Sequence, residues 1–134
     1  MTVELHHVTM PATDRRRSAA FLAGILGVPV GADDDGRSPV TAGNGVTLDY
    51  VDGPVDGTAV AAQRCTFLLT EDEFDAAYAR LLDARVRIWA DPERTRPGQI
   101  DHRRGRRGLC FSDPDGHVIE IVTRPDGARD PDPA

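Results

Sequence analysis

The sequence predicts an α+β protein in which one strand–helix–strands pattern is used twice. Three observations predict it: two capped helix segments with apolar stripes, strand-like stretches in front of and behind each helix, and a Gly/Pro/Asp-rich linker, Asp52–Gly57, near the middle. At 134 residues the chain fits one domain, which buries roughly two-thirds of its unfolded surface.

The elements follow in order. Val3–Met10 (VELHHVTM) has strand character. Asp14 is placed to cap a helix over Arg15–Leu26, with Phe21, Leu22, Ile25 and Leu26 on its apolar side and Gly27 as its stop. Gly31–Ser38 reads as a polar loop. Val40–Thr41 and Val46–Val51 read as short strands around Gly43-Asn44-Gly45, whose Asn-Gly pair is a hairpin signal. After the linker, Ala62–Leu69 is again strand-like. Thr70 opens a capping box with Glu73, and a helix runs to about Ala84 with Phe74, Tyr78, Leu81 and Leu82 at helical spacing. Three more strands are expected at Val86–Ala90, Leu109–Ser112 and His117–Thr123. The single domain then spans 1–125, as modules of about 3–52 and 61–124, with a frayed Pro/Asp-rich tail over 126–134.

Composition excludes several functions. A net charge of −6 argues against nucleic acid as the principal partner. No apolar run approaches the roughly 20 residues that span a bilayer, so no membrane is expected as a partner. The opening MTVELHHVTM lacks a signal peptide's basic start and apolar run, and a cytoplasmic location is expected. All 16 basic residues are arginine, and without lysine no Schiff base can form on the chain. Two cysteines, Cys65 and Cys110, make no disulfide framework and are expected as reduced thiols.

Strand alternation sorts the polar residues. Cys65, Phe67 and Leu69 suit burial under a helix, which turns Arg64, Thr66 and Leu68 the other way. Ile119 and Ile121 likewise turn Val118, Glu120 and Val122 away from the helices. Leu48 and Tyr50 leave Thr47, Asp49 and Val51 opposite, and His7 shares a face with Leu5 and Thr9. The non-helical face therefore collects His7, Asp49, Arg64 and Glu120. A carboxylate between two isoleucines is costly to bury without a cation or hydrogen bonds, so Glu120 marks a polar site.

The opening L-H-H-V-T-M, followed by Asp14, Phe21 and L-G-V, together with the closing D-P-D-G-H-V-I-E-I-V (Asp113–Val122), resembles the vicinal oxygen chelate superfamily of glyoxalases, bleomycin resistance proteins and dioxygenases. The resemblance covers residues 3–125. It implies paired βαβββ modules that curl an eight-stranded sheet into a cup for a small organic molecule. It also implies a divalent metal (Fe, Mn, Zn or Ni) held by a histidine from the first strand of each module and a glutamate from the last strand, and a homodimer. Two imidazoles and a carboxylate suit such an ion and leave positions open for substrate oxygens.

Carried over residue by residue, His7 and Glu120 match metal ligands, and Asp49 matches an optional one. The second histidine's position falls on Arg64, whose guanidinium stays protonated and cannot ligate a metal. The expectation is a degenerate site, metal-free or weakly metal-binding, in which Arg64 pairs with Glu120 or Asp49 and His7, Glu120 and Arg64 are the catalytic candidates. Arg64, Trp89, His102 and Arg107 are the substrate-binding candidates. Arg103, Arg104 and Arg106, around Gly105, read either as an anion-binding lid or as a solvated hairpin edge. His117 is expected to be structural. A non-catalytic protein that sequesters a drug-like ligand is the alternative function.

Overall fold

The computed structural model describes residues 2–54, 56 and 58–124. Its contacts form two compact units, Met1–Gln63 with Asp113–His117, and Arg64–Ser112 with Val118–Ala134. The expected frayed tail lies outside the described residues.

The first unit contains β1 (His7–Ala12), α1 (Arg15–Leu26), β2 (Arg37–Thr41) and β3 (Thr47–Asp52). Its sheet order is β1-β3-β2, with β1–β3 parallel and β2–β3 antiparallel. The second contains β4 (Arg64–Leu69), α2 (Glu71–Asp83), β5 (Asp101–Arg103), β6 (Arg106–Ser112) and β7 (Val118–Thr123), in the order β4-β7-β6-β5. Again the first and last strands pair in parallel and the strand before the last is antiparallel. A single bridge lies beyond each penultimate strand, Val30 to Val40 in the first unit and Trp89 to Cys110 in the second. These bridges are what remains of the second strand of each βαβββ module. The two sheets, of three and four strands, accordingly carry seven strands among the described residues where the resemblance implied eight.

Several expected boundaries move, for reasons of pairing. β1 starts at His7, which pairs with Thr47, the first residue of β3; Val3 and Leu5 upstream are exposed. β2 begins at Arg37 because a tight turn bonds Asp34 to Arg37. The expected strand Val86–Ala90 is only the Trp89 bridge. β5 was not expected; it is created by a hairpin whose turn residues Arg104 and Gly105 have φ of 52° and 73°, the signs a two-residue primed turn needs.

The helices are capped by local chemistry. The Asp14 side chain accepts the Arg17 N–H, and Gly27 ends α1 with φ 74°. Thr70 and Glu73 exchange both bonds of the expected capping box on α2. Leu22 and Ile25 of α1 and Phe74 and Leu81 of α2 are buried as expected, whereas Leu82 is 53% exposed. Under α1 lie Met10, Ala12, Val40, Leu48 and Tyr50; in the second unit Leu109, Phe111, Ile119 and Ile121 are fully buried.

The N-terminus of α1 carries Arg15, Arg16 and Arg17 and no acidic residue in its first turn, the wrong sign for the helix dipole. Carboxylates from elsewhere in the unit correct it. Asp52 accepts from the Arg15 N–H and guanidinium, and Asp33 from Arg16 and the Ser38 hydroxyl. Asp115 accepts from the Thr13 N–H, the Thr13 hydroxyl and Ser18. Bonds from Arg15 hold the Asp52 carboxyl below the usual range, and bonds from Arg16 and Ser38 do so for Asp33. For Asp115, burial pushes upward, but the bonds from Thr13 and Ser18 outweigh it and hold the carboxyl low.

His117 is fully buried. Its Nδ1 accepts the Gln63 N–H at 2.8 Å, which puts the ring proton on Nε2, where it is donated to the Pro11 carbonyl at 2.6 Å. The turn before it is closed by Asp113 Oδ1, which accepts the N–H groups of Asp115 and His117. Burial pushes the Asp113 carboxyl above the usual range.

Candidate functional site: one face in each unit

The Gly53 N–H bonds to Ala12 O in the first unit, and the Arg124 N–H bonds to Leu69 O in the second. Ala12 and Leu69 thus hold the same place. Counting back from 12 to 7 and from 69 to 64, His7 is equivalent to Arg64 and Thr9 to Thr66. Thr9 is paired with Asp49 and Thr66 with Glu120. Each unit therefore carries a cationic or ionisable side chain, a threonine and a carboxylate at three equivalent positions on the sheet face turned away from its helix.

In the first unit Asp49 is buried, at 9% exposure, with Thr9 on one side and Pro39 on the other. His7 is exposed, and its Nδ1 lies 2.9 Å from Nδ1 of His6, the rings edge to face. His7 pairs with Thr47, so it is offset from Asp49 by one pair along the same face.

In the second unit Thr66 donates its hydroxyl to Glu120 Oε1 at 2.8 Å, and the Cys110 thiol approaches Oε2 at 3.7 Å. Cys110 is buried; burial first, and then the Glu120 charge, push its thiol up to about 12, with Arg64 acting in the opposite direction. It is a donor at neutral pH, not a thiolate. Trp89, Cys110, Glu120 and Thr66 are consecutive pairing partners and form one row across the sheet.

Among the described residues no ion pair joins Arg64 to Glu120, contrary to the expected pairing. Arg64 stands opposite Val118, two pairs from Glu120, so the Thr66 hydroxyl directly abreast takes the carboxylate. Arg64 is left exposed.

The other sequence candidates divide by strand register. Along β6, Arg107 shares a face with Leu109 and Phe111, and its guanidinium is held by Glu71 and Asp75 over the Phe74 ring at 4.5 Å. Burial lowers its basicity, but the two carboxylates outweigh this and raise it. His102 pairs with Arg107 and so belongs to the same helix-side face. By register both positions alternate with the row of Cys110 and Glu120. Trp89 lies under the Arg94 guanidinium at 4.9 Å and lines a small apolar cleft of about 230 Å³ with Arg87, Ile88, Pro97 and Gly98.

A larger cleft of about 620 Å³ opens on Glu120. Arg103, Arg104, Arg106 and Arg107 line it together with Asp101, Gly108 and Val122. Arg103, Arg104 and Arg106, which read either as a lid or as a solvated edge, reach the glutamate's cleft; Arg107, favoured from sequence, lines it as well while its guanidinium bonds to Glu71 and Asp75. Thr66 and Cys110 were also missed as partners of Glu120; nothing short of the strand register brings them there.

The family profile of the "Glyoxalase/Bleomycin resistance protein/Dioxygenase superfamily" matches residues 4–121. The chain belongs to this superfamily. Among solved structures, superfamily-like folds include "Oxidase ChaP-H2", 45% identical to the chain, covering 96% of it and 98% of that protein with a TM-score of 0.89. TnmS3, an antibiotic binding protein from Streptomyces sp. CB03234, is 25% identical, covering 91% and 96% with a TM-score of 0.66. The metallothiol transferase FosB of Lysinibacillus sphaericus (strain C3-41) is 27% identical over 92% of this chain and 84% of its own length.

The donors of the second unit do not fit the metal set that the superfamily resemblance implies. Where an imidazole is required the chain has Arg64, and the groups touching Glu120 are a hydroxyl and a protonated thiol. Within either unit, among the described residues, no three His, Cys, Asp or Glu side chains gather as a ligand set. No helix among the described residues is long and apolar enough to cross a membrane.

Proposed function

We propose that the chain is an oxidase of the superfamily that acts on a small organic acid of the phenol or enol type, with Glu120 as base and a degenerate metal site. In this reading Glu120 takes the proton from the substrate's O–H or C–H, and the exposed Arg64 guanidinium stabilises the resulting oxyanion, the role a Lewis acid has elsewhere. The second proton leaves to solvent water. Two electrons and two protons leave the substrate, and dioxygen carries them off as hydrogen peroxide. The observation that carries the reading is a strand-borne glutamate facing a cleft with neutral donors and no paired cation. The 45% identity to an oxidase over nearly both full lengths favours this chemistry over the others in the superfamily.

Oxygen uptake with a panel of phenols and β-dicarbonyl compounds tests it. The natural protein should consume dioxygen with at least one of them and Glu120→Gln should not; equal rates would overturn the assignment. A homodimer is part of the same reading and is checked by light scattering. One tightly held ion per purified chain would take oxyanion stabilisation away from Arg64. The likeness to an antibiotic binding protein favours a second reading, sequestration of a planar compound. Thermal stabilisation by such a compound without oxygen uptake would select it.

A further inference from the structure

The hairpin β5–β6 gives the cleft a charge that the rest of the protein lacks. The chain carries a net −6, yet the cleft is lined by Arg103, Arg104, Arg106 and Arg107 against Asp101 and Glu120, and of these Arg107 is already held by Glu71 and Asp75. Asp101 is already bonded, to Arg96 and Arg103. Among the described residues no ion pair is made by Arg104 or Arg106, both exposed. Their place is fixed by backbone: Arg104 sits in the primed turn at φ 52°, and Arg106 pairs with Arg103 on the Glu120 side of the sheet.

Between these arginines and Glu120 the floor is Gly108. Its φ is not in the left-handed region, so the backbone does not demand glycine there. A Cβ would lie 3.3 Å from the Val122 methyl, in the space the cleft now holds. Arg106, Gly108 and Cys110 follow one another on one face of β6, and Cys110 is abreast of Glu120. Four residues of strand separate Arg106 from that row, roughly 13 Å along the sheet. The arginine side chain spans part of this distance and leaves a flat gap of about two fused rings, within the usual size of small-molecule sites.

We propose that Arg104 and Arg106 are specificity residues that hold an acidic substituent of the ligand, a carboxylate, sulfonate or phosphate, at the end of the cleft opposite Glu120. Guanidinium groups suit such oxyanions through paired N–H donors. The ligand class is therefore a bicyclic or similarly flat aromatic acid whose acidic group lies across the ring system from its reacting O–H or C–H. The proposal rests on the cleft assignment above, but it is tested by binding alone, so it fails separately from the oxidase chemistry.

The probes are 2-naphthoate and its uncharged isostere 2-naphthamide, titrated into the full chain by calorimetry. Naphthoate should bind at least tenfold more tightly than naphthamide, and the advantage should shrink as salt is added. In the double variant Arg104→Asn, Arg106→Gln, chosen because asparagine tolerates the turn's positive φ, the two probes should bind alike. Equal affinities in the natural protein, a preference that survives in the double variant, or no binding of naphthoate at millimolar concentration would each overturn the proposal. Turnover lost in Glu120→Gln while naphthoate still binds upholds both readings; an unchanged turnover with intact anion preference sinks only the chemistry.

Discussion

In the first unit His7, Thr9 and Asp49 stand where Arg64, Thr66 and Glu120 stand in the second, on the same face of sheets with the same topology. The aspartate is nearly covered, between Thr9 and Pro39. The glutamate, one methylene longer, reaches two neutral donors and opens on a cleft. One duplicated scaffold thus offers a histidine with a sheltered acid on one unit and an arginine with an accessible acid on the other. The lesson is that equivalent positions share backbone geometry and not chemistry. Side-chain length and the neighbour abreast decide which carboxylate can exchange protons with a ligand.

The sharpest way to break the comparison is to neutralise the two acids in parallel. Glu120→Gln should lower turnover by on the order of 10²–10⁴-fold, the usual contribution of a general base, and Asp49→Asn by much less; oxygen uptake measures both, and equal losses would erase the distinction. Arg64→His makes the two units alike at that position. It should create measurable Zn²⁺ or Ni²⁺ affinity by titration calorimetry, and no gain would mean the equivalence of Arg64 with His7 is wrong.

Stability separates the units too. His117→Ala leaves the Pro11 carbonyl and the Gln63 N–H without partners beside a cavity, and should cost about 3–5 kcal/mol in denaturant unfolding. The helices should then differ in kind. α2 carries its own cap, and Thr70→Ala should cost about 1 kcal/mol. α1 adds to its Asp14 cap a distant carboxylate, and Asp115→Ala should cost about 1–3 kcal/mol. The smallest effect on stability is expected for Arg107→Leu, about 1 kcal/mol from surface pairing and the Phe74 contact.

Acid should also act on the first unit. Asp33, Asp52 and Asp115 are all held below the ordinary carboxylate value. A depressed folded value stabilises above the unfolded one, near about 4, and that contribution disappears as pH falls through the folded value. Hydrogen exchange should therefore show α1 amides losing protection below about pH 4; protection unchanged down to the lowest folded pH would remove these carboxylates as anchors of the helix.

What could be read from residue order was what local chemistry decides. Asp14, Gly27 and the Thr70–Glu73 box mark both helices because caps bond within a few residues. The alternation of β4 and β7 set Arg64, Thr66 and Glu120 on one face. Pairing over long separations was not readable. Trp89 lies in an expected strand that makes only a bridge, because its partner Cys110 is bound on the same edge of β6 that β5 occupies a few residues away. The competition of Thr66 with Arg64 for Glu120 depends on which of the two stands abreast of it, a register between strands that no periodicity reveals.

The turn Asp113–His117 belongs by its contacts to the first unit although the chain reaches it only after most of the second. During synthesis the amino-terminal half must therefore wait, with the start of α1 lacking its Asp115 anchor and the seat of His117 vacant, until residue 117 has left the ribosome. A gene fragment ending at Gln63 would be expected to yield a protease-sensitive product, however well its own strands pair, since its last buried imidazole is encoded more than fifty codons downstream.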